Sequence, residues 1–298
     1  MPFRCPRPLL GLLFGAALLG GAPACANGST EPNTPPGADS TGTDSTGRAA
    51  SSPVPYRFDR PDAVFALPRA LFEISGLTVL ADGRLGAVQD EQGTLYVLDP
   101  ASGAVVDERR FAGRGDFESL ERVGGSVWVL MADGTLLELA DSTGAVTEVD
   151  TPLENKNDTE GLAYDAAHHR LLIACKEDAG EGVPDTVKAI YAFDLASRAF
   201  DPRPAYLLSR RGLDDGQDAF KPSALAVHPQ TGQLYVLSSV RKALAIVEPD
   251  GRQATLVPLP EAYFRQPEGI AFLPDGTLFL SNEARGETPT LLRYRPQP

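Results

Sequence analysis

Glutamate or serine opens five similar phrases along the chain: Ser75-Gly76-Leu77, Glu118-Ser119-Leu120, Glu160-Gly161-Leu162, Ser223-Ala224-Leu225 and Glu268-Gly269-Ile270. The opening residue is the one reactive or strongly polar group in each short, otherwise small or apolar phrase. Repeated carboxylates can act as acid or base, hold a hard cation through oxygen, or bond neighbouring backbone amides and tie the structure together. Their companions narrow the chemistry. The three histidines are His168, His169 and His228, all in segments that read as turns. A Ser-His-Asp arrangement and a histidine base are therefore disfavoured. Hydrolysis would need a carboxylate base, a metal-activated water, or both. Cys175 follows an apolar run and reads as a small buried hydrophobe, and Trp128 alternates within a strand as core.

The phrases recur about every 42 to 45 residues, with one gap of about 63 that holds an insertion, and this is the period of a β-propeller with four-stranded blades. After each phrase comes a turn (Asp82-Gly83, Gly124-Gly125, His168-His169, Thr231-Gly232, Asp275-Gly276) and then a second apolar strand. Those second strands are expected at 85–88, 127–130, 171–174, 234–237 and 278–280. Third strands are expected at 94–98, 135–139, 189–193, 244–247 and 291–294, and fourth strands at 105–111, 146–152, 199–207 and 254–259. Alternating β-branched and aromatic residues between Gly and Asp turns support these assignments. The last blade lacks its outer strand before the chain stops at Pro298. The segment from Tyr56 to Pro68 is expected to supply it and close the ring. The fold class is thus all-β, a five-bladed β-propeller of four-stranded antiparallel blades.

Topology turns the repeat into a site. Consecutive strands are antiparallel, so first-strand starts and second-strand ends share one face, beside the central channel. The first set is Ser75, Glu118, Glu160, Ser223 and Glu268. Two residues earlier, on the same side of an extended chain, stand Glu73, Asp116, Asp158, Lys221 and Gln266. The second-strand ends add Asp90, Glu91, Met131, Lys176, Glu177, Ser238, Ser239, Asn282 and Glu283. Converging carboxylates repel unless hydrated, protonated, paired or bridged by a cation. An oxygen-rich set points to Ca²⁺ on Glu118, Glu160 and Glu268, unless Lys176 neutralises the cluster itself. Two polar stretches, 177–188 and 209–219, are expected to reach the same face as loops able to cap it.

The ends address the chain. Arg4 and Arg7 precede an apolar run from Leu9 to Leu19 and small residues up to Cys25, the pattern of an export signal over 1–25. Cleavage before Cys25 would make it a lipidated N-terminus, as in bacterial lipoproteins; ordinary cleavage at an Ala-x-Ala site is the alternative. Residues 26–53, nearly all Gly, Ser, Thr, Pro, Asn, Asp and Ala, are expected to form a disordered tether. The folded domain is then 54–298, a single all-β unit. The destination is the bacterial cell envelope, through a lipid anchor rather than a transmembrane helix, or else the periplasm or exterior. Without the two leader arginines the chain keeps 25 basic residues against 40 acidic ones, a net of −15. Such a balance argues against nucleic acid as a partner. Cys175 is alone in the folded part, so no disulfide staples it.

The phrases resemble those of the SdiA-regulated, YjiK-like propeller family. The resemblance is carried by Glu73-Ile74-Ser75-Gly76-Leu77, Asp90-Glu91, Asp116-Phe117-Glu118, Glu160 to Asp165, Lys176, Pro222 to Pro229, Pro267 to Phe272 and Ser281-Asn282-Glu283. It implies an exported or membrane-associated propeller, related in architecture to calcium-dependent lactonase and phosphotriesterase propellers. Ser119 departs from the family's Gly after Glu118, and Met131 breaks the polar pattern in the second blade. Three functions are expected to compete. The first is a monomeric envelope propeller that binds a small molecule or an envelope protein at an acidic funnel, with Ca²⁺. The second is a metal-dependent hydrolase of esters, lactones or phosphoesters using Glu160 or Glu268. The third is a structural or protein-docking propeller.

Overall fold

The computed structural model describes residues 54–252 and 254–297. The leader, Cys25 and the tether lie outside the described residues. The first strand, β1 (Ala63–Ala66), is followed by a single 3-10 turn at Arg69–Leu71. The first blade is β2 (Ile74–Val79), β3 (Leu85–Gln89), β4 (Gln92–Leu98) and β5 (Val105–Arg114). The second is β6 (Phe117–Val123), β7 (Ser126–Met131), β8 (Leu136–Ala140) and β9 (Val146–Val149). The third is β10 (Thr159–Asp165), β11 (Arg170–Cys175), β12 (Val187–Asp194) and β13 (Ala199–Ser209). The fourth is β14 (Ala224–Val227), β15 (Leu234–Ser238), β16 (Ala243–Val247) and β17 (Ala254–Pro258). The fifth contains β18 (Pro267–Phe272), β19 (Leu278–Asn282) and β20 (Thr290–Tyr294), with β1 hydrogen-bonded outside β20.

All five sheets are antiparallel meanders of four strands, and the first strands pack on one another around the ring until β18 meets β2. The expected closure by the N-terminal segment holds, with Ala63 opposite Arg293 and Ala66 opposite Thr290. The strand is shorter than the segment expected to form it. Tyr56 and Phe58 leave the sheet and bury themselves between the fourth and fifth blades, against Tyr235, Phe264 and Tyr294. Tyr56 Oη donates to the carbonyl of Gly276 at 2.6 Å, pinning the incoming chain to a turn of the fifth blade.

Five apolar clusters form the core, one at each blade–blade junction. Val88 and Leu95 meet Leu120 and Val127, for example, while Leu77 and Leu85 meet Phe279 and Leu291. Middle strands such as β3, β15, β16 and β19 are buried on both sides, which explains their unbroken apolar runs. Outer strands β9 and β17 are largely exposed. Small residues follow the phrase openers because blades converge there. A Cβ on Gly76 would lie 2.8 Å from the Ser119 backbone, and one on Gly161 2.7 Å from the Leu225 side chain. Trp128 is core, with the Arg198 guanidinium 5.2 Å above its ring.

Candidate functional site

The phrase opener is not an ordinary strand residue. In four blades the pairing of the first two strands slips there: between Ile74 and Gly76, Phe117 and Ser119, Thr159 and Gly161, and Pro267 and Gly269. The residue left out of register is Ser75, Glu118, Glu160 or Glu268. A bulge of this kind frees one residue from the ladder and re-aims its side chain. The fourth blade reaches the same position differently, because β14 starts only at Ala224. Gly inside a strand pattern is the sequence signal for such a bulge. Asp158, just before the bulge of the third blade, takes the left-handed φ of 49°. Asp tolerates that region better than most residues.

The residues two positions earlier extend the ladder beyond the bulge. The backbone amides of Asp90, Lys176 and Glu283 donate to the carbonyls of Glu73, Asp158 and Gln266 at 3.1, 2.8 and 2.9 Å. Polar side chains at the first-strand entry and second-strand exit are thereby set side by side. Glu73 and Asp90 come within hydrogen-bonding reach of each other, as do Asp116 and Glu118. Gln266 donates to Glu283, Lys221 pairs with Glu177, and Lys176 pairs with Glu160 while its Nζ stands 3.6 Å from Asp158.

These groups form one electrostatic chain around the channel mouth. Burial, then Glu160 and Asp116, push the Glu118 carboxyl up to about 10. Glu160 rises to about 8, through burial and then Glu268, against the pull of Lys176. Glu268 is pushed up to about 7 by burial, although Gln266, Lys176 and Ser239 favour its anion. Asp90 rises to about 7 through burial and Glu73, and burial also raises Glu283. Burial disfavours the Lys176 ammonium, yet Glu160, Asp158 and Glu268 outweigh it and hold its pKa above the usual lysine value. The upward shifts on the two partners have different causes: burial first for Glu160, and the surrounding carboxylates for Lys176. Lys176 stays charged, and the surplus carboxyls retain protons.

Among the described residues no three Asp, Glu, His or Cys side chains are arranged to hold an ion. The cation beside Glu160 is the ammonium of Lys176. Several of the other residues expected at the site also bond the scaffold. Ser75 Oγ donates to the carbonyl of Phe117 at 2.6 Å and Ser223 Oγ to that of Pro267 at 3.2 Å, each tying a blade to the next. Ser238 Oγ accepts the amides of Lys221 and Arg241. Glu91 lies at the rim, 2.5 Å from exposed Arg114.

Four buried acceptors in this region have no donor: Asp90 Oδ1, Glu160 Oε2, Gln266 Oε1 and Asn282 Oδ1. Asn282 spends its Nδ2 on the Tyr263 carbonyl and on Thr290 Oγ1, leaving its oxygen free. The Ser281 hydroxyl is also unpaired and was not among the expected site residues. It lies 2.4 Å from where a Cβ of Gly269 would stand, so the bulge glycine makes room for it. The loop from Glu177 is anchored rather than loose: Asn157 Nδ2 donates to the Asp178 carbonyl, Tyr191 Oη to that of Ala179, and the Lys188 ammonium to that of Glu177. Cys175 is fully buried and its thiol is pushed up to about 12 by burial, which leaves it unreactive.

Fold and site together define a five-bladed propeller whose channel mouth is acidic and rich in unsatisfied acceptors. The chain belongs to the SdiA-regulated family, whose family model matches residues 66–285. Among solved structures, the glutaminyl cyclase of Myxococcus xanthus superposes with a TM-score of 0.59 at 16% identity, covering 80% of this chain and 96% of that one. A gluconolactonase of Xanthomonas campestris matches with a TM-score of 0.50 at 17% identity, over 76% of this chain and 72% of its own. A luciferin-regenerating enzyme matches at 0.50 with 14% identity, over 74% and 77%. At such identities the likeness is one of fold.

Proposed function

We propose that the acidic mouth binds a small hydrophilic organic cation with several N–H or O–H donors, of the polyamine or amino-sugar class. The supporting observation is the set of buried acceptors without donors: Asp90, Glu160, Gln266 and Asn282 each present one. An unmet buried polar group costs about 1–3 kcal/mol, so a ligand that supplies donors recovers much of that. A ligand cation would also take the place of protons that the surplus carboxyls retain. Titration calorimetry with spermidine and with glucosamine tests the reading, with gluconate as the anionic control. Saturable heat with a cation, at least tenfold weaker in Glu160→Gln, is expected. Equal binding of gluconate, or no effect of Glu160→Gln, overturns it.

A second reading, hydrolysis of esters, lactones or phosphoesters, is favoured by the unequal carboxyls. Glu118 is held as an acid to about 10, while Glu160 beside it rises only to about 8 and Glu268, which acts on Glu160, only to about 7. Neighbouring carboxyls with separated pKa values are how acid and base roles are divided at one pH. Glu268 or Glu160 would then be the base, with Glu118 the proton donor. Comparing wild type with Glu268→Gln on such substrates decides, and equal or absent turnover removes this reading. The leader pattern supports export and lipid anchoring at Cys25. Mass spectrometry of the mature N-terminus, with Cys25→Ser as control, tests that part.

A further inference from the structure

The same central channel has a second mouth, at the turns between first and second strands, and it holds a cavity of about 390 Å³. The repeat explains why there is room. Three residues after each phrase opener the chain carries Thr78, Glu121, Ala163, Ala226 and Ala271. Three blades thus place only a methyl group at this level. The second blade places a carboxyl there, and Glu121 lines the cavity together with Thr78, Ala226, Ala271 and the Phe272 ring.

Glu121 has no cationic partner among the described residues. The neighbouring Arg122 guanidinium turns away to Asp141 at 3.1 Å, and Arg170 is occupied by Asp165 at 2.8 Å. Its Oε1 accepts Thr78 Oγ1 and the Arg122 amide, both at 2.9 Å. Burial pushes the carboxyl up to about 7 despite those bonds. His228, also at this end, is buried and held below its usual pKa by burial, so it supplies no charge near neutrality. Its Nε2 is 3.0 Å from Tyr56 Oη, and its ring stands edge-on to Phe272 at 4.9 Å between centroids. The walls are mostly apolar and aromatic, with a single uncompensated carboxyl inside.

We propose that this cavity is a second ligand site, specific for a compact amine with an apolar, preferably aromatic, body. The ammonium pairs with Glu121 and the body packs against Phe272, Ala226 and Ala271. Concave, mostly apolar pockets with one or two placed polar groups are the usual form of small-molecule sites. Aromatic walls further favour a cation through their π-faces. The site is independent of the acidic mouth. It differs from it in ligand class, because here one carboxyl faces apolar walls rather than many acceptors.

Titration calorimetry with tryptamine as probe, on the whole exported chain, tests the proposal. Tryptamine is expected to bind saturably, while its neutral counterpart 3-indolepropanol binds at least tenfold more weakly. Glu121→Gln is expected to lose tenfold or more. Ala226→Leu, which fills the cavity without touching Glu121, is expected to abolish binding even if the first variant folds poorly. Glu160→Gln, at the other mouth, is expected to leave tryptamine binding unchanged, which separates this site from the first. Equal binding of the neutral counterpart, full binding by Ala226→Leu, loss in Glu160→Gln, or no heat with tryptamine at millimolar concentration overturns the proposal.

Discussion

Replacing Glu118 with glutamine should stabilise the protein, and only above acidic pH. The folded chain holds the Glu118 proton up to about 10, whereas an unperturbed Glu releases it at 4.5. The folded state therefore binds a proton that the unfolded state has lost, and wild-type stability falls as pH rises from about 4.5. Each pH unit in that window is worth at most about 1.4 kcal/mol. At pH 8 the ceiling is about 5 kcal/mol, and residual solvent contact of this half-buried side chain reduces it to about 2 kcal/mol. Gln matches the protonated acid in shape and charge, so Glu160 and Asp116 meet nearly the same neighbour. For a domain of this size the gain corresponds to a rise of roughly 4–8 °C in melting temperature. Calorimetric melts of wild type and Glu118→Gln from pH 4 to pH 9 read it directly. The two curves should meet near pH 4 and separate steadily above pH 5. A gap independent of pH, or a less stable variant at pH 8, would refute the retained proton.

Lys176→Met removes the cation between Glu160 and Asp158. Losing one partner of a buried pair costs about 3–5 kcal/mol while the other stays charged, and protonating Glu160 relieves part of it at low pH. The variant should thus lose more melting temperature at pH 8 than at pH 5, and a pH-independent loss would contradict the pairing. Calcium at about 1 mM, the weak end of extracellular sites, should give no saturable heat with wild type, because Lys176 supplies the positive charge at Glu160. Saturable heat there would show that the carboxyls rearrange around an ion. Beginning the chain at Leu67 removes β1 together with Tyr56 and Phe58, baring the edge of β20 and the cluster around Tyr294. Loss of cooperative melting and self-association on a sizing column are expected; an unchanged melt would mean that closure contributes nothing.

Much of the site was legible because a repeat in sequence is a repeat in space. Five phrases at one period place five equivalent residues around an axis, so Glu118, Glu160 and Glu268 could be assigned to one mouth without coordinates. Closure by the N-terminus followed from a missing strand. The partner of Lys176 was not legible, because which carboxyls it reaches, Glu160 and Asp158, depends on how the strands of the third blade meet. Ser75, Ser223 and Ser238 also bond backbone groups of neighbouring segments, contacts that depend on which strands meet and were not legible in the sequence. Glu121 was passed over for a different reason. It lies in an alternating strand, and only the alanines facing it from other blades turn it into the anchor of a cavity.

Sequence by itself determined the architecture of this chain, since strand alternation, turn residues and period are local properties that each segment carries alone. It also determined which end of each blade holds the polar residues. Tertiary structure decided protonation and partnership. The bulge that frees Glu160, the burial that raises Glu118, and the ammonium that pairs with Glu160 arise only when strands distant in the chain converge on the channel, where carboxyls outnumber cations.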